Sequence, residues 1–230
     1  MEIKGRVALV TGANRGLGKA IAQALLQAGA AKVYAGARDP GSVDLPGVVP
    51  VELDVTDVAS VRAAAQRCGD VEIVVNNAGI SLPGTALSED APDRIRRLFD
   101  VNFYGVLNVS SAFAPILARN GGGTFVNVLS VLSWLAIEGS THYSASKAAA
   151  WALTNGMRRE LKEQNIRVTG VHVGYMDTDM VARLDAPKTA PSVAAGKIVE
   201  AIREERPELL IDDTSRTVKA SLSLDAAAYL

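Results

Sequence analysis

The residues Val7-Ala8-Leu9-Val10-Thr11 run without interruption into Gly12-Ala13-Asn14-Arg15-Gly16-Leu17-Gly18, and an amphipathic helical pattern, Leu17–Ala28, follows at once. An apolar strand turned sharply into a helix needs a parallel neighbour reached by a crossover, so this junction points to an α/β sheet. It also leaves free backbone N–H groups at a helix N-terminus, where the macrodipole favours an anion. A pyrophosphate must approach such a turn closely, and a side chain at Gly16 or Gly18 would obstruct it. Gly12, Asn14, Arg15, Gly16, Leu17 and Gly18 are therefore the candidates for holding a dinucleotide. The alternative is a merely tight connection, which the strand before and the helix after argue against. Their spacing, Gly-x-x-x-Gly-x-Gly, differs from the common Gly-x-Gly-x-x-Gly and implies another variety of dinucleotide loop.

The same alternation repeats along the chain. Val7–Thr11, Lys32–Ala37, Val48–Asp54, Val71–Asn76, Thr124–Leu129, Ile166–Val173 and Leu209–Asp212 read as strands, mostly apolar throughout as strands covered on both faces should be. Leu17–Ala28, Val58–Cys68, Pro92–Ala118, Ser144–Gln164 and Ser192–Glu204 read as helices. Residues 1–230 form one domain without a linker, and 175–191, irregular and containing Pro187, is expected to be a mobile substrate-binding loop. The pattern is weak again after Asp213.

Composition narrows the function classes. With 24 Lys+Arg against 25 Asp+Glu, the formal net charge of −1 gives no basic footprint for nucleic acid or an anionic membrane. No apolar run is expected to approach the ~18 residues of a membrane span, and Met1-Glu2-Ile3-Lys4 opens no secretory signal. The lone Cys68 and two histidines, His142 and His172, offer no metal-ligand spacing. A reducing, cytoplasmic setting and a small-molecule substrate are the expectations.

After the second strand, Ala37-Arg38 stands where a site for unphosphorylated ribose would place an acid. Loss of that repulsion and gain of a guanidinium suit a 2′-phosphate, with Arg15 as a second cation, so NADP(H) is the expected cofactor. Asp39 as a ribose ligand is the alternative. Further on, Tyr143 and Lys147 are spaced to share one helix face, with Ser130 at the end of the fifth strand, where open α/β sheets bind ligands. By itself such a pair could be surface decoration. A nearby ammonium would lower the phenol from its ordinary value of ~10 toward neutrality.

The glycine loop with Thr11, Asn76-Asn77-Ala78-Gly79, Asn102, Ser130 and Tyr143-x-x-x-Lys147 together resemble, in order and spacing, the motifs of short-chain dehydrogenases/reductases. The resemblance implies a single-domain, Rossmann-like doubly wound fold with a parallel seven-stranded sheet and helices on both faces. It also implies an Asn-Ser-Tyr-Lys tetrad. Tyr143 would be the general acid/base and Ser130 would orient and polarise the carbonyl oxygen. Lys147 would bind the nicotinamide ribose and acidify Tyr143, and Asn102 would position a water leading to Lys147. Asn76, Ala78 and Gly79 would border the cofactor, Asn77 would brace the central strands, and Asp54 with Val55 would meet the adenine edge. Gly174 and Thr178 would approach the nicotinamide, although Val173-Gly174 replaces the usual Pro-Gly.

Leu132, Trp134, Leu135, Tyr175, Met176 and Met180 could line an apolar pocket, with core packing as the alternative. His142 is expected at the rim, and His172 in the interior. The expected activity is NADPH-dependent reduction of a ketone or aldehyde, reversible as a secondary-alcohol dehydrogenase. Alternatives are a non-catalytic NADP-binding regulator or an epimerase/dehydratase on the same fold. The long helices after Asp100 and Tyr143 resemble those that form a four-helix interface in many members of that family, and the resemblance implies a homodimer or homotetramer.

Overall fold

Strands that are apolar on both faces must be covered on both sides. The computed structural model describes every residue except Arg183, which falls within the 175–191 loop, and Ala226, Ala228 and Leu230. Seven strands, β1 (Val7–Thr11), β2 (Lys32–Ala37), β3 (Val49–Glu52), β4 (Ile73–Asn76), β5 (Gly123–Val128), β6 (Ile166–His172) and β7 (Glu208–Leu210), form one sheet. Their order is β3-β2-β1-β4-β5-β6-β7, and every neighbouring pair is parallel.

Successive side chains of a strand point to opposite faces, and the helices divide accordingly. Ala8 and Val10 pack with Ile21 and Leu25 of α1 (Gly16–Gln27) and Ile198 of α6 (Pro191–Arg203). Leu9 faces the other layer, with Val61 of α2 (Val58–Arg67), Phe113 of α4 (Gly105–Arg119) and Met157 of α5 (Thr141–Glu160). The strand order reverses between β1 and β4, and the crevice at that switch, beyond the carboxyl ends of the strands, is where such sheets take ligands.

Three stretches depart from the sequence expectation. The helix expected over Pro92–Ala118 is α3 (Ala91–Phe99), a π-helical turn at Asp100–Tyr104, and α4. The amide of Gly105 reaches back to the carbonyl of Asp100, and a Cβ on Gly105 would lie 2.7 Å from Val55 Cγ2. The widened turn thus accompanies a close approach to the end of β3. Contrary to expectation, the whole run Ala91–Arg119, 29 residues with mean hydropathy 1.3 over its most apolar window, is long and apolar enough to cross a membrane. Its Val109, Phe113, Ile116 and Leu117 are instead buried against the sheet. The 175–191 loop folds back on itself, pairing Met176 with Thr189.

The third departure is a helix where no pattern was expected, α7 (Asp213–Ser221), capped by Asp212, whose Oδ1 accepts from the Ser215 amide at 2.8 Å. Its Val218 is buried with Val131 and Trp134.

Gly18 has a different reason for being glycine than the expected clearance for a pyrophosphate. A Cβ there would lie 2.2 Å from the Gly12 carbonyl oxygen and 2.5 Å from Asn77 Nδ2, so α1 packs against the turn only without a side chain. Gly18→Ala is expected to cost roughly 1–3 kcal/mol by overpacking, a fall of about 2–12 °C in thermal midpoint. Calorimetry of the variant checks this, and an unchanged midpoint would contradict the packing argument.

Candidate active site

The glycine turn is stitched to the end of β4. Thr11 Oγ1 accepts from the amides of Asn77 and Ala78, both at 3.0 Å, and Asn77 Nδ2 donates to the carbonyls of Thr11 and Gly12. Asn77 thus braces the two strands. Gly12 and Gly16 have φ of 64° and 53°, in the left-handed region that disfavours side chains, and a Cβ on Gly16 would lie 3.2 Å from Thr178 Cγ2. Thr178 therefore borders the turn, and its hydroxyl donates to the Met176 carbonyl at 3.4 Å.

The charges around this cradle suit a phosphorylated dinucleotide. Arg38 is exposed and makes no hydrogen bond or ion pair with a described residue. Arg15 meets Asp179 of the 175–191 loop at 3.4 Å, and Asn14 Nδ2 donates to Ser42 Oγ at 3.2 Å. Asp39, the alternative ribose ligand, uses Oδ1 to accept from the Gly41 amide at 2.9 Å. Asp54 is half-buried, and its Oδ1 accepts from the amide and hydroxyl of Thr56.

Three cofactor candidates turn their side chains inward. The side chains of Leu17 and Val55 are buried in the cores on opposite faces of the sheet, leaving only their backbones for a ligand. The Asn76 side chain is buried as well, donating to Ser110 Oγ at 3.1 Å and to Asn127 Oδ1 at 2.8 Å. It braces the interior because it ends an inner strand and points into the sheet's flank.

At the reacting end, Ser130 follows β5 and begins a short turn. Its hydroxyl accepts from the Leu132 amide at 3.1 Å, and its own amide donates to Ser133 Oγ at 3.3 Å. Tyr143 opens the first turns of α5, and its phenol interacts with the Ser130 side chain. Lys147, one turn on, is buried; its Nζ donates to the Val128 carbonyl at 2.8 Å and lies 5.9 Å from the Tyr143 ring centroid.

The expected acidification of Tyr143 is not what these surroundings produce. Burial pushes the phenol up to about 12, with the contact to Ser130 drawing it partly back. The same burial pulls the Lys147 ammonium down to about 8. Low polarizability penalises both charged forms, and the ammonium is aimed at a carbonyl rather than at the phenol. Near neutral pH the pair is a protonated phenol beside a protonated lysine.

Asn102 sits in the π-helical turn with its side chain saturated. Oδ1 accepts from the Ile80 amide at 2.9 Å, while Nδ2 donates to the Ile80 carbonyl and to Ser146 Oγ, both at 3.0 Å. The side chain thus braces the Ile80 backbone and Ser146, a structural role beside the expected one of positioning a water. It does stand beside the site, since a Cβ on Gly79 would lie 3.2 Å from Asn102 Oδ1 and 3.7 Å from Lys147 Nζ. Gly174 donates its amide to Asp212 Oδ2 at 2.6 Å, a tether that stands where proline's fixed torsion is missing.

The expected apolar pocket is largely dispersed. Leu132, Trp134 and Leu135 pack with Val131, Trp151 and Val218 beneath α7, because that helix needs an apolar floor. Met176 joins the main core. Tyr175 and Met180 alone of this set are exposed. His142, expected at the rim, is buried and pairs through Nε2 with the Ala86 carbonyl at 3.0 Å. The reasoning from sequence also missed Asp212 and Ser146. Asp212 carried a signal, an acidic cap before a Val218/Leu222 helical pair; Ser146 carried none.

A family model described as short chain dehydrogenase matches residues 6–189. The chain is 34% identical over 248 residues to a 3alpha-hydroxysteroid dehydrogenase of Mediterraneibacter gnavus, covering 99% of this chain and 98% of that one. It is 31% identical to the 3-oxoacyl-acyl-carrier-protein reductase FabG of Vibrio harveyi, over 86% of each chain. In three dimensions it is similar to a short chain dehydrogenase from Burkholderia cenocepacia solved in complex with NADP. The TM-score is 0.93 and the identity 40%, over 98% of this chain and 95% of that one.

Asn102→Ala would leave the half-buried Ile80 peptide groups without their partners, at up to roughly 1–3 kcal/mol for each group left unpaired. Urea unfolding is expected to show that loss, and a midpoint equal to that of the unsubstituted protein would refute the bracing role.

Proposed function

The chain belongs to the short chain dehydrogenase family of nicotinamide-dependent oxidoreductases, and on that premise we propose that it is an NADPH-dependent carbonyl reductase, reversible as a secondary-alcohol dehydrogenase. The convergence of the Tyr143 phenol, the Ser130 hydroxyl and the buried Lys147 ammonium at the crevice carries this reading. When bound, the reduced nicotinamide supplies a hydride; the protein supplies orientation, a proton and exclusion of water.

Ser130 holds the carbonyl oxygen of the substrate, and its hydroxyl is already oriented by the Leu132 amide. Tyr143 gives that oxygen its proton. A phenol pushed up to about 12 is protonated at neutral pH and so holds the proton that the more basic alkoxide oxygen takes as it forms. Lys147 holds ribose hydroxyls and, while charged, steadies the phenolate left behind. Gly12 to Gly18 and the Ala78-Gly79 backbone cradle the pyrophosphate and nicotinamide ends, with Gly174 and Thr178 across from them.

Preference for NADPH rests on Ala37, on Arg38, which has no partner among the described residues, and on Arg15 in the glycine turn, and the Burkholderia relative was solved with NADP. Tyr175 and Met180, exposed on the 175–191 loop, favour a substrate with a hydrophobic substituent. We infer assembly as a homodimer or homotetramer through α4 and α5, in a reducing cytoplasm that suits the single buried Cys68.

The direct test mixes purified protein, NADPH and a panel of aryl and alkyl ketones and follows cofactor absorbance; bound cofactor with no turnover across the panel defeats the proposal. Tyr143→Phe is expected to keep NADPH affinity while lowering kcat by roughly 10²–10⁴; an unchanged rate removes Tyr143 from the chemistry. For reduction, kcat/KM should hold through neutral pH and fall as pH rises past about 8, where Lys147 loses its proton. A profile flat to pH 10 would disconnect that ammonium from the reaction.

A further inference from the structure

Behind Ser130, on the side away from the crevice, lies a group of side chains that the proposed chemistry does not use. His172, at the end of β6, is fully buried, with Nδ1 3.1 Å from the Ser130 carbonyl oxygen. Its ring lies flat on Trp134, centroids 3.8 Å apart at 19°, and Trp134 meets Trp151 edge-on. Nε2 stands 3.7 Å from Glu208 Oε1, beyond hydrogen-bond reach, and has no partner.

α7 supplies the rest of the group. Lys219 Nζ lies 3.0 Å from that same Glu208 Oε1 and 4.8 Å from the Trp134 ring centroid. Ser215 Oγ donates to the His172 carbonyl at 3.4 Å. Asp212 accepts from the amides of Ser215 and Gly174, so the same helix end also holds the chain where it leaves β6.

We propose that His172, supported by α7, is a positioning residue for Ser130, and that Lys219 selects the histidine tautomer that does it. The inference rests on the carbonyl-reductase reading for its consequence in turnover, but not for its geometry. A carbonyl can only accept, so the Nδ1 facing Ser130 must carry the proton. Burial keeps the ring neutral, pulling its pKa down to about 4 against the opposing pull of the Ser130 carbonyl and, less, of Glu208, with Lys219 and Lys147 adding to the fall, so a single proton is shared between two nitrogens. Only the Ser130 carbonyl, at Nδ1, is within reach as an acceptor, while the Glu208 carboxylate, the acceptor that Nε2 would turn to, is held 3.7 Å away by its bond to Lys219. Lys219 occupies the near carboxylate oxygen, which leaves the proton at Nδ1 and the Ser130 peptide anchored.

The Ser130 peptide is then pinned through its amide by Ser133, through its carbonyl by His172, and through its hydroxyl by the Leu132 amide. Displacement of such a group by about 1 Å can cost a hundredfold in rate. The ring does not touch the substrate side, so the effect belongs in kcat rather than in cofactor binding.

The test uses the full chain as wild type, His172→Leu, His172→Asn and Lys219→Met, with NADPH and a ketone the wild type reduces. It adds nitrogen NMR of 15N-labelled histidine, simple to assign with only His142 and His172 in the sequence. His172 is expected protonated at Nδ1 in the wild type and at Nε2 in Lys219→Met. His172→Leu should lower kcat roughly tenfold to a hundredfold with the NADPH KM little changed. His172→Asn, which restores a donor near Nδ1, should recover most of it. An Nε2 proton in the wild type, equal kcat for His172→Leu and wild type, or equal loss in the Asn and Leu variants overturns the proposal. If His172→Leu does not fold, Lys219→Met decides through its tautomer and its kcat. A wild type that reduces no ketone sinks the reductase reading, and the tautomers of wild type and Lys219→Met then settle this inference alone.

Discussion

The buried Lys147 ammonium donates to the carbonyl of Val128, the last residue of β5, at 2.8 Å, and this one bond sets the distance between α5 and the centre of the sheet. Tyr143 stands one turn earlier on the helix, and Ser130 follows Val128 along the strand. A shift at the bond would therefore move both reacting hydroxyls relative to each other. A buried cation partnered by a carbonyl rather than a carboxylate keeps little of its hydration energy, which is why its pKa falls to about 8. The ammonium is thereby held close to its working limit by the packing that places it.

Beneath that bond runs a polar seam through the interior. Asn76 donates to Asn127, Asn127 Nδ2 donates to Thr154 Oγ1 at 2.9 Å, and Thr154 Oγ1 donates to the Ala150 carbonyl at 2.7 Å. β4, β5 and α5 are joined by it directly. In a low-dielectric interior breaking one member of such a chain strands the next, although Asn76 Oδ1, at its start, has no hydrogen-bond partner among the described residues. On the far side of Ser130, the His172, Glu208 and Lys219 group performs a comparable service from α7. Ser130 is thus held through both the interior seam and the α7 group.

Much of this was legible in the residue order. The glycine turn, the strand-helix alternation and the Tyr143/Lys147 spacing are local patterns, and the parallel sheet follows from them. The errors share one cause. Leu17, Val55 and Asn76 belong to cofactor-binding stretches, yet their side chains point inward, and Trp134 and Leu132 serve as floor for a helix that was not expected. Which side of an element faces a ligand depends on what packs on its other side. α7 itself was overlooked although Asp212 marked its start, because a short helix with few apolar residues gains its stability from Trp134 and Val131, far away in the chain.

By itself, the amino-acid order determined the backbone: glycines where torsions and close approach demand them, strands buried on both faces, and a phenol and an amine a helical turn apart. Those are properties of neighbouring residues and are set before any distant contact forms. Only the tertiary structure decided the electrostatics. Burial turned the expected acidic Tyr143 into one pushed up to about 12, and distant segments gave Asn102 its partners at Ile80 and Ser146. Dielectric surroundings and hydrogen-bond partners are supplied by segments tens of residues away, and no local pattern encodes them.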